Sequence, residues 1–207
     1  MRGKTVVITG GTSGIGEVAA IVLARMGARI VLVARDNSRA AATLSRLRGS
    51  APGIAHAVYS ADLLRLVEMK RVAAQIADQE PRVDVLINNA GALFGTRRLT
   101  EDGLERTFAL NHMAYFVITA GLRERLSASA PSRIINTASA AHQGATLDFD
   151  DLQSAKSFRA TKPMVGRSYA TSCSRVNSLA ACTARVSRRI ACIPVLSPHA
   201  SATKVAA

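Results

Sequence analysis

The chain has 207 residues, 48% of them hydrophobic, and its 27 Lys and Arg outnumber 14 Asp and Glu to give a formal net charge of +13. This length is typical of one globular domain, and we expect neither a membrane-spanning segment nor a cleavable leader. The three cysteines exclude a disulfide scaffold, and their spacing matches no zinc site, so we expect no metal centre. The composition predicts a cytoplasmic protein of enzyme size.

The excess of positive charge lies near the carboxyl terminus. After Asp151 there are nine basic residues and no acidic one in 56 positions, and all three cysteines lie there too. A strongly basic chain raises nucleic acid or an anionic surface as a partner. Because the excess belongs to one block without interleaved aromatic residues, we expect no nucleic-acid partner. Salt-dependent DNA binding that disappears on deletion of residues 161–207 would revive that hypothesis.

Strand and helix patterns alternate along the chain. Short apolar runs rich in β-branched residues predict strands over 4–9, 28–34, 54–61, 82–88 and 132–138. Apolar residues at helical spacing predict helices from Gly14 to about Met26 and over 37–48, 66–77 and about 100–127. Strands that are apolar throughout and alternate with helices indicate the α/β class: a Rossmann-type, doubly wound parallel sheet covered on both faces.

A glycine-rich turn, TGGTSGIG at 9–16, stands directly between the first strand and the first helix. Such a pattern alone is weak, and an ordinary glycine-rich loop is the alternative, but the flanking strand and helix favour a phosphate site. Glycines let the backbone approach a pyrophosphate, and the helix N-terminus offers free N–H groups and a partial positive charge. The candidate cofactor-binding residues of this turn are Gly10, Thr12, Ser13, Gly14, Ile15 and Gly16.

Two charged residues follow the second and third strands. Arg35 stands where an NAD-binding fold often has an acidic residue, and a cation there favours the 2′-phosphate of NADP, with NAD as the second choice. The alternative for Arg35 is a solvated residue at a helix start. Asp62 either accepts a hydrogen bond from the adenine amino group or caps the following helix, and the sequence leaves both interpretations open.

The fourth strand ends in the motif NNAG at 88–91. Together with TGGTSGIG and with the dipeptide Asp62-Leu63, this motif makes the chain resemble the short-chain dehydrogenase/reductase family over roughly its first 160 residues. Asn111 in the long helix and Ser139 after the fifth strand continue the likeness. The segment LDFDDLQSAKSF at 147–158 looks like the retinol-dehydrogenase-like subgroup.

The resemblance implies that the sheet binds NAD(P)(H) and that hydride passes to or from an alcohol or carbonyl carbon of a small-molecule substrate. It implies that Ser139 holds the substrate oxygen and that Asn111 holds a water in a proton relay. Without the resemblance, Ser139 would be read as a strand-end hydroxyl and Asn111 as a polar residue within a helix. The cofactor residues implied beyond the glycine-rich turn are Arg35, Asp62, Leu63, Asn89, Ala90 and Gly91.

The family also carries a Tyr-x-x-x-Lys helix, and this chain has no such pair. The Tyr acts as general acid and base, and the Lys lowers its pKa by stabilising the phenolate. Tyr169 is followed four residues later by Cys173, which supplies no fixed charge. Phe158 is followed by Lys162, but Phe has no proton to give. Neither pair can do the chemistry.

A slip of reading frame accounts for this break. If one base is restored before residue 161, codons allowed by the observed residues read YKAYGRSKLCNILF and then TRELARRLHGTGVTANCLHPGFVATRFG, without a stop. The observed residues constrain two of the three bases in each restored codon, so agreement over more than forty positions is hard to attribute to the choice of codons. A Tyr then stands at the position of Met164 and a Lys at that of Ser168. We hypothesise an NADP-binding domain of residues 1–160 and an out-of-frame tail of residues 161–207.

The tail would replace the Tyr-x-x-x-Lys helix and the last strands, and with them the usual dimer helix of the family, so we do not expect a family-type homo-oligomer. The run IACIPVLS at 190–197 offers a replacement strand by chance. Because burial contributes about 25 cal/mol per Å² of apolar surface, we expect the chain, if made as written, to fold poorly and to turn over little or no substrate. A non-catalytic NADP-binding remnant is the alternative to an NADP-dependent oxidoreductase.

Overall fold

The computed structural model describes residues 1–139, 149–156, 158 and 190–195. Six strands lie side by side in one sheet in the order β3-β2-β1-β4-β5-β6, and every neighbouring pair is parallel. The strands are β1 Thr5–Thr9, β2 Arg29–Ala34, β3 Ala57–Ser60, β4 Val85–Asn88, β5 Arg133–Ser139 and β6 Ile190–Val195. The α/β class and the doubly wound parallel sheet expected from the sequence are confirmed.

Helices connect consecutive strands on both sides of the sheet. They are α1 Gly14–Arg25, α2 Asn37–Ser50, α3 Leu66–Gln79, α4 Arg106–Phe108, a π-helical turn Ala109–Met113, α5 Ala114–Gly121 and α6 Arg123–Ala128. In the described part of the chain after β5, Phe149–Asp151 form a 3₁₀ turn. Among the described residues no helix is both long enough and apolar enough to cross a bilayer.

The single helix predicted over about 100–127 is wrong in its start and in its continuity. Residues 99–105 form a turn instead, in which Leu99 and Glu105 pair as an isolated antiparallel bridge. The carboxylate of Glu105 then caps α4 by accepting two backbone N–H groups at 2.9 Å. The π-helical turn and a break at Leu122 divide the remainder. Helix-forming residues are present throughout, but contacts made by the turn decide where the helix begins.

Two apolar layers enclose the sheet, one on each face. Alternation along β1 directs Val7 toward the layer of α3 and α5, and Val6 and Ile8 toward the layer of α1 and α2. All five residues of β1 are buried. Full burial of one Val or Leu side chain stabilises the fold by about 1.5–3 kcal/mol, so this central strand anchors both layers. The carboxyl ends of the central strands are where the chain is left open to solvent.

β6 lies at the edge of the sheet beside β5, and its six residues pair in parallel with residues 134–139. The run 190–197, which offered a replacement strand by chance, therefore contains a strand. The tail of residues 161–207 otherwise lies outside the described residues, so the reading-frame slip and the poor folding that we expect from it stay predictions.

Candidate functional site

A cavity of about 550 Å³ opens at the carboxyl ends of the strands, where the strand order reverses between β1 and β4. In open α/β sheets this reversal leaves a crevice that ligands occupy. Most of the cofactor residues expected from the sequence line this cavity: Gly10, Thr12, Ser13, Ile15, Gly16, Arg35, Asp62, Leu63, Asn89, Ala90 and Gly91. Gly14 is exposed and turns the chain at a φ of +54°, but it is not among the lining residues.

The glycine-rich turn lies too close to its neighbours for any larger residue at two positions. A Cβ atom on Gly10, whose φ is +67°, would lie 2.7 Å from the Cα of Ala90. A Cβ atom on Gly16 would lie 2.4 Å from both the Asn89 side-chain nitrogen and the Gly10 carbonyl oxygen. Because these obstacles include backbone atoms, they cannot move aside at little cost. The glycines therefore let the start of α1 pack directly against the end of β4.

The N-terminus of α1 has no side-chain cap. Ser13 occupies the N-cap position in an extended conformation, and its hydroxyl makes no capping hydrogen bond. The first N–H groups of a helix have no partner within the helix, and they carry much of its positive partial charge. The first turn of α1, which faces the cavity through Ile15 and Gly16, therefore offers donors to an anion.

Asn89 ties the end of β4 to the end of β1. Its side-chain amide donates to the Gly10 carbonyl at 3.1 Å and to the Thr9 carbonyl at 3.3 Å. The Thr9 hydroxyl oxygen accepts the backbone N–H groups of Asn89 and Ala90 at 3.0 and 3.1 Å, and the Thr137 hydroxyl donates to the Asn89 side-chain oxygen at 3.3 Å. The side chain of this expected cofactor residue thus positions the glycine-rich turn, while its backbone lines the cavity.

Two arginines and one carboxylate lie at the end of β2. Arg35 and Arg39 both line the cavity and are exposed, and Arg35 has no ion-pair partner among the described residues. Asp36 caps α2: one carboxylate oxygen accepts the backbone N–H groups of Ser38 and Arg39 at 2.9 and 3.0 Å and the Ser38 hydroxyl at 2.7 Å. The hydrogen bond from the Ser38 hydroxyl is the main reason that the pKa of Asp36 lies below its usual value. Arg39 was not expected from the sequence; it lies in the first turn of α2, which begins two residues after Arg35.

Asp62 lies in the cavity and does not cap α3. Its side chain accepts the backbone N–H of Leu64 at 3.1 Å, closing a turn before the helix. The N-cap position belongs to Arg65, whose side chain makes no capping hydrogen bond. The N–H of Leu66 instead donates to Asp102 at 2.8 Å, from the turn that precedes α4. Asp62 therefore does not cap α3, and that interpretation of the residue is wrong. A hydrogen bond from the adenine amino group stays a prediction.

Asn111 is fully buried in the π-helical turn and does not line the cavity. Its side-chain oxygen accepts the backbone N–H of Ala92 at 2.9 Å, and its side-chain nitrogen donates to the Ala92 carbonyl at 2.9 Å. This pair fastens the segment after NNAG to the helix. The structure thus shows Asn111 as a support for the cavity wall, and its part in a proton relay stays a prediction.

Ser139 ends β5, two residues after Thr137, which lines the cavity. Its backbone pairs with Val195 of β6, whereas its side chain lies outside the described residues. Met164, Ser168, Tyr169 and Cys173 also lie outside them. The structure therefore places the strand end that carries Ser139 beside the cavity, and it does not test the proton-transfer residues.

The opposite wall of the cavity has three residues that sequence reasoning missed. Phe94, Arg106 and Leu110 line it, and the Arg106 guanidinium carbon lies 4.0 Å from the centre of the Phe94 ring. Such a cation–π contact holds both side chains in place. Phe94 and Arg106 are twelve positions apart in the chain, so no local pattern indicates that they meet.

The sheet order, the crevice at its reversal and the glycine-rich turn are those of a Rossmann-type dinucleotide-binding protein. A family model described as short chain dehydrogenase matches residues 4–158. The chain therefore belongs to the short-chain dehydrogenase family, whose members are NAD(P)-dependent oxidoreductases.

Its relatives confirm the retinol-dehydrogenase-like subgroup. Human retinol dehydrogenase 13 is 44% identical over 150 residues, which cover 72% of this chain and 45% of that protein. The chain spans about half the length of the curated relatives that it matches.

Two solved structures share the fold and differ in their cofactor. A short-chain dehydrogenase from Sphingobium yanoikuyae in complex with NADPH is 31% identical, with a TM-score of 0.66, over 85% of this chain and 62% of that chain. The NADH-dependent reductase A1-R′ complexed with NAD is 27% identical, with a TM-score of 0.70, over 93% of this chain and 78% of that chain. Similarity alone therefore leaves the choice between NAD and NADP to the residues of this chain.

Proposed function

We propose that the protein is an NADP-preferring short-chain oxidoreductase that acts on an alcohol or carbonyl group of a small molecule. Family membership supports the reaction class. The observation that carries the proposal is the cradle around Gly10 and Gly16, which even a single Cβ atom would fill, at the uncapped start of α1. A pyrophosphate fits such a cradle because it needs backbone donors at close range. When bound, the nicotinamide would supply or accept the hydride.

The preference for NADP rests on the charges at the end of β2. Arg35 and Arg39 would hold a 2′-phosphate, since both line the cavity and Arg35 has no ion-pair partner in the described part of the chain. Asp36 would otherwise be the acid that binds the ribose hydroxyls of NAD, but its carboxylate is engaged as the cap of α2. Asp62 would accept the adenine amino group through the oxygen that Leu64 does not use.

Replacing Arg35 tests this preference. We expect Arg35→Gln to weaken NADPH binding about tenfold or more, because a hydrogen bond to a charged group contributes about 1.5–3 kcal/mol, and to leave NADH binding unchanged. Quenching or enhancement of the dinucleotide fluorescence on titration gives both affinities. The matched control is Arg48→Gln on α2, since Arg48 is exposed and does not line the cavity. Equal loss of affinity for both dinucleotides would contradict the proposal.

The proton-transfer half of the reaction depends on Ser139 and on residues beyond it. Ser139 would orient the substrate oxygen, and Asn111 would support a water in the relay. Met164 and Ser168 stand at the two positions where the restored frame has Tyr and Lys, and this pair cannot exchange a proton at that oxygen as a Tyr–Lys pair would. We therefore propose that it turns over little or no substrate. The printed sequence thus favours a second candidate, a non-catalytic NADP-binding remnant.

Sequencing the gene across codons 150–170 separates the two candidates. One extra base near codon 161 would make the protein an intact dehydrogenase with its Tyr and Lys four residues apart. Confirmation of the printed frame would make residues 161–207 a genuine tail behind the NADP-binding domain of residues 1–160. In that case we expect neither dehydrogenase activity nor a cooperative melt, and NADPH-dependent fluorescence without turnover of alcohols would support the remnant.

A further inference from the structure

The side of α1 that points away from the sheet is apolar. Val18 is 62% exposed, Val22 47% and Met26 52%, and their spacing of four residues places them on one side of the helix. We call these three residues the outer stripe. The side chains that α1 buries are all small: Gly16, Ala20 and Ala24. An ordinary surface helix has the reverse arrangement, with large apolar residues inward and polar residues outward.

Unpaired cations flank the outer stripe. Arg25 follows Val22 by three residues, so it lies beside the stripe on the helix surface. Arg2 packs its stem at the end of the helix, where a Cβ atom on Gly27 would lie 2.8 Å from its Cγ. Both arginines are exposed, and neither has an ion-pair partner among the residues that the structure describes. Eight of the first 50 residues are Lys or Arg, and only Glu17 and Asp36 are acidic.

The cations beside the outer stripe argue against two partners that could cover it: a second copy of this chain and the chain's own carboxyl-terminal tail. A second copy docked through the stripe by a two-fold axis would surround one contact with Arg2 and Arg25 of both copies, while the one acidic residue of α1, Glu17, is already paired with Arg46. The carboxyl-terminal tail of this chain has nine basic residues and no acidic one after Asp151, so it would also be repelled. A partner that suits this face has an apolar layer and a negative surface. An anionic bilayer has both.

We propose that the outer stripe docks on an anionic lipid surface. The axis of α1 would lie parallel to the membrane, with Val18, Val22 and Met26 at the boundary of the acyl chains. Arg2 and Arg25 would contact headgroup phosphates. Because the stripe occupies one side of a single helix, the protein rests on the surface and does not span the bilayer.

The test measures cosedimentation of the full chain with vesicles of phosphatidylcholine and phosphatidylserine, and with vesicles of phosphatidylcholine alone. The basic tail would bind anionic vesicles by itself, so the comparison is between variants that share it. We expect Val18→Gln/Val22→Gln/Met26→Gln, which changes no charge, to weaken partitioning about tenfold. We expect Arg2→Gln/Arg25→Gln to weaken partitioning to anionic vesicles about fivefold for each Arg removed.

The control is Val67→Gln/Lys70→Gln on α3, where Val67 is 57% exposed and Lys70 is also exposed, on the other face of the sheet. We expect it to bind vesicles like the parent chain. Val18→Leu/Val22→Leu guards against loss of folding, because added methylene groups should tighten binding. Unchanged partitioning of the Gln triple variant, or equal weakening by the α3 control, overturns the proposal. A dimer of the parent that the Gln triple variant abolishes would also overturn it, in favour of a second copy.

Discussion

Two regions, one at the amino ends and one at the carboxyl ends of the parallel strands, differ in whether their polar groups have partners within the protein. At the amino ends, the buried carboxylate of Glu80 accepts two hydrogen bonds from Arg29 at 2.9 and 3.0 Å and a third from the Tyr59 hydroxyl at 2.9 Å. At the carboxyl ends, Ser13 leaves the N-terminus of α1 uncapped, and Arg35 has no ion-pair partner within the described residues. The protein itself satisfies the Glu80 cluster, whereas the start of α1 and Arg35 are left for a ligand.

Hydrogen bonds and burial near the amino ends also shift pKa values. Burial tends to raise the pKa of Asp84, but hydrogen bonds from Arg82, the Thr5 N–H and Lys4 outweigh it and hold the pKa below its usual value. Its contribution to stability is therefore present above the ordinary carboxyl pKa and is lost as the pH falls through the folded value. Burial, with the hydrogen bond to Glu80, raises the pKa of Tyr59 to about 12, so this hydroxyl remains a donor.

The largest effect is expected from breaking the amino-end cluster. Glu80→Ala should lower the free energy of unfolding by about 3 kcal/mol, because it leaves the Arg29 guanidinium, two-thirds buried, without its partner. Urea unfolding of the chain with its reading frame restored, in which we expect a cooperative transition, measures the change, and Glu124→Ala on the surface of α6 is the control. NADPH affinity of the folded fraction should not change. A loss below 1 kcal/mol would mean that the cluster does not hold the fold.

A substitution at the carboxyl ends of the strands should lower the affinity for NADPH more than it lowers the free energy of unfolding. In Gly16→Ala the new Cβ meets the Gly10 carbonyl and the Asn89 side chain. Overpacking of this kind costs about 1–3 kcal/mol, so we expect NADPH affinity to fall about 30-fold in a fluorescence titration. Gly49→Ala on α2, where no atom lies within 4 Å of the new Cβ, should bind like the parent. The same loss in both variants would show that the cradle is not the cause.

The smallest effect concerns His56, whose Nδ1 accepts the backbone N–H of Ile30 at 3.0 Å beside the start of β2. Burial, and then repulsion by Arg29 and Arg48, lower its pKa below 6.5. The neutral ring is therefore the folded form, and its contribution is present above pH 6.5 and lost as the pH falls through the folded pKa.

His56→Leu should accordingly be less stable than the parent by about 1 kcal/mol at pH 7.5, since the Ile30 N–H loses its acceptor. The gap should narrow toward pH 5. Urea midpoints of both proteins, each with its reading frame restored, provide the measurement across this range. A constant gap would show that His56 does not titrate with folding.

Local sequence pattern predicts much of the fold, but it does not predict contacts between residues that are distant in the chain. Periodicity predicts α1 and α3, and the glycine-rich turn between strand and helix predicts the phosphate side of the cavity. The pairing of Glu80 with Arg29 spans 51 residues, and no local spacing reveals it. The helix predicted over about 100–127 misses the turn at 99–105, because the tie of this turn to α3 through Asp102 spans 36 residues and has no local signature.

The candidate site divides in the same way. Residues that act through backbone shape, such as Gly10 and Gly16, are recognisable because only glycine fits. Asn111 has the residue type of the family motif, but its pairing with the Ala92 backbone becomes visible only in the fold. Phe94 and Arg106 meet across a turn, so their place in the cavity wall has no signature in the sequence.

The Thr9 hydroxyl has a consequence for how a dinucleotide reaches its place. By accepting the N–H groups of Asn89 and Ala90, it links β1 to the end of β4 beyond the last paired residues of the two strands. The Asn89 side chain adds a second link by donating to the Gly10 carbonyl. The floor of the crevice therefore has a fixed width. Exchange of ligand with solvent therefore proceeds through the open side of the cavity at the carboxyl ends of the strands, and it needs no parting of the strands.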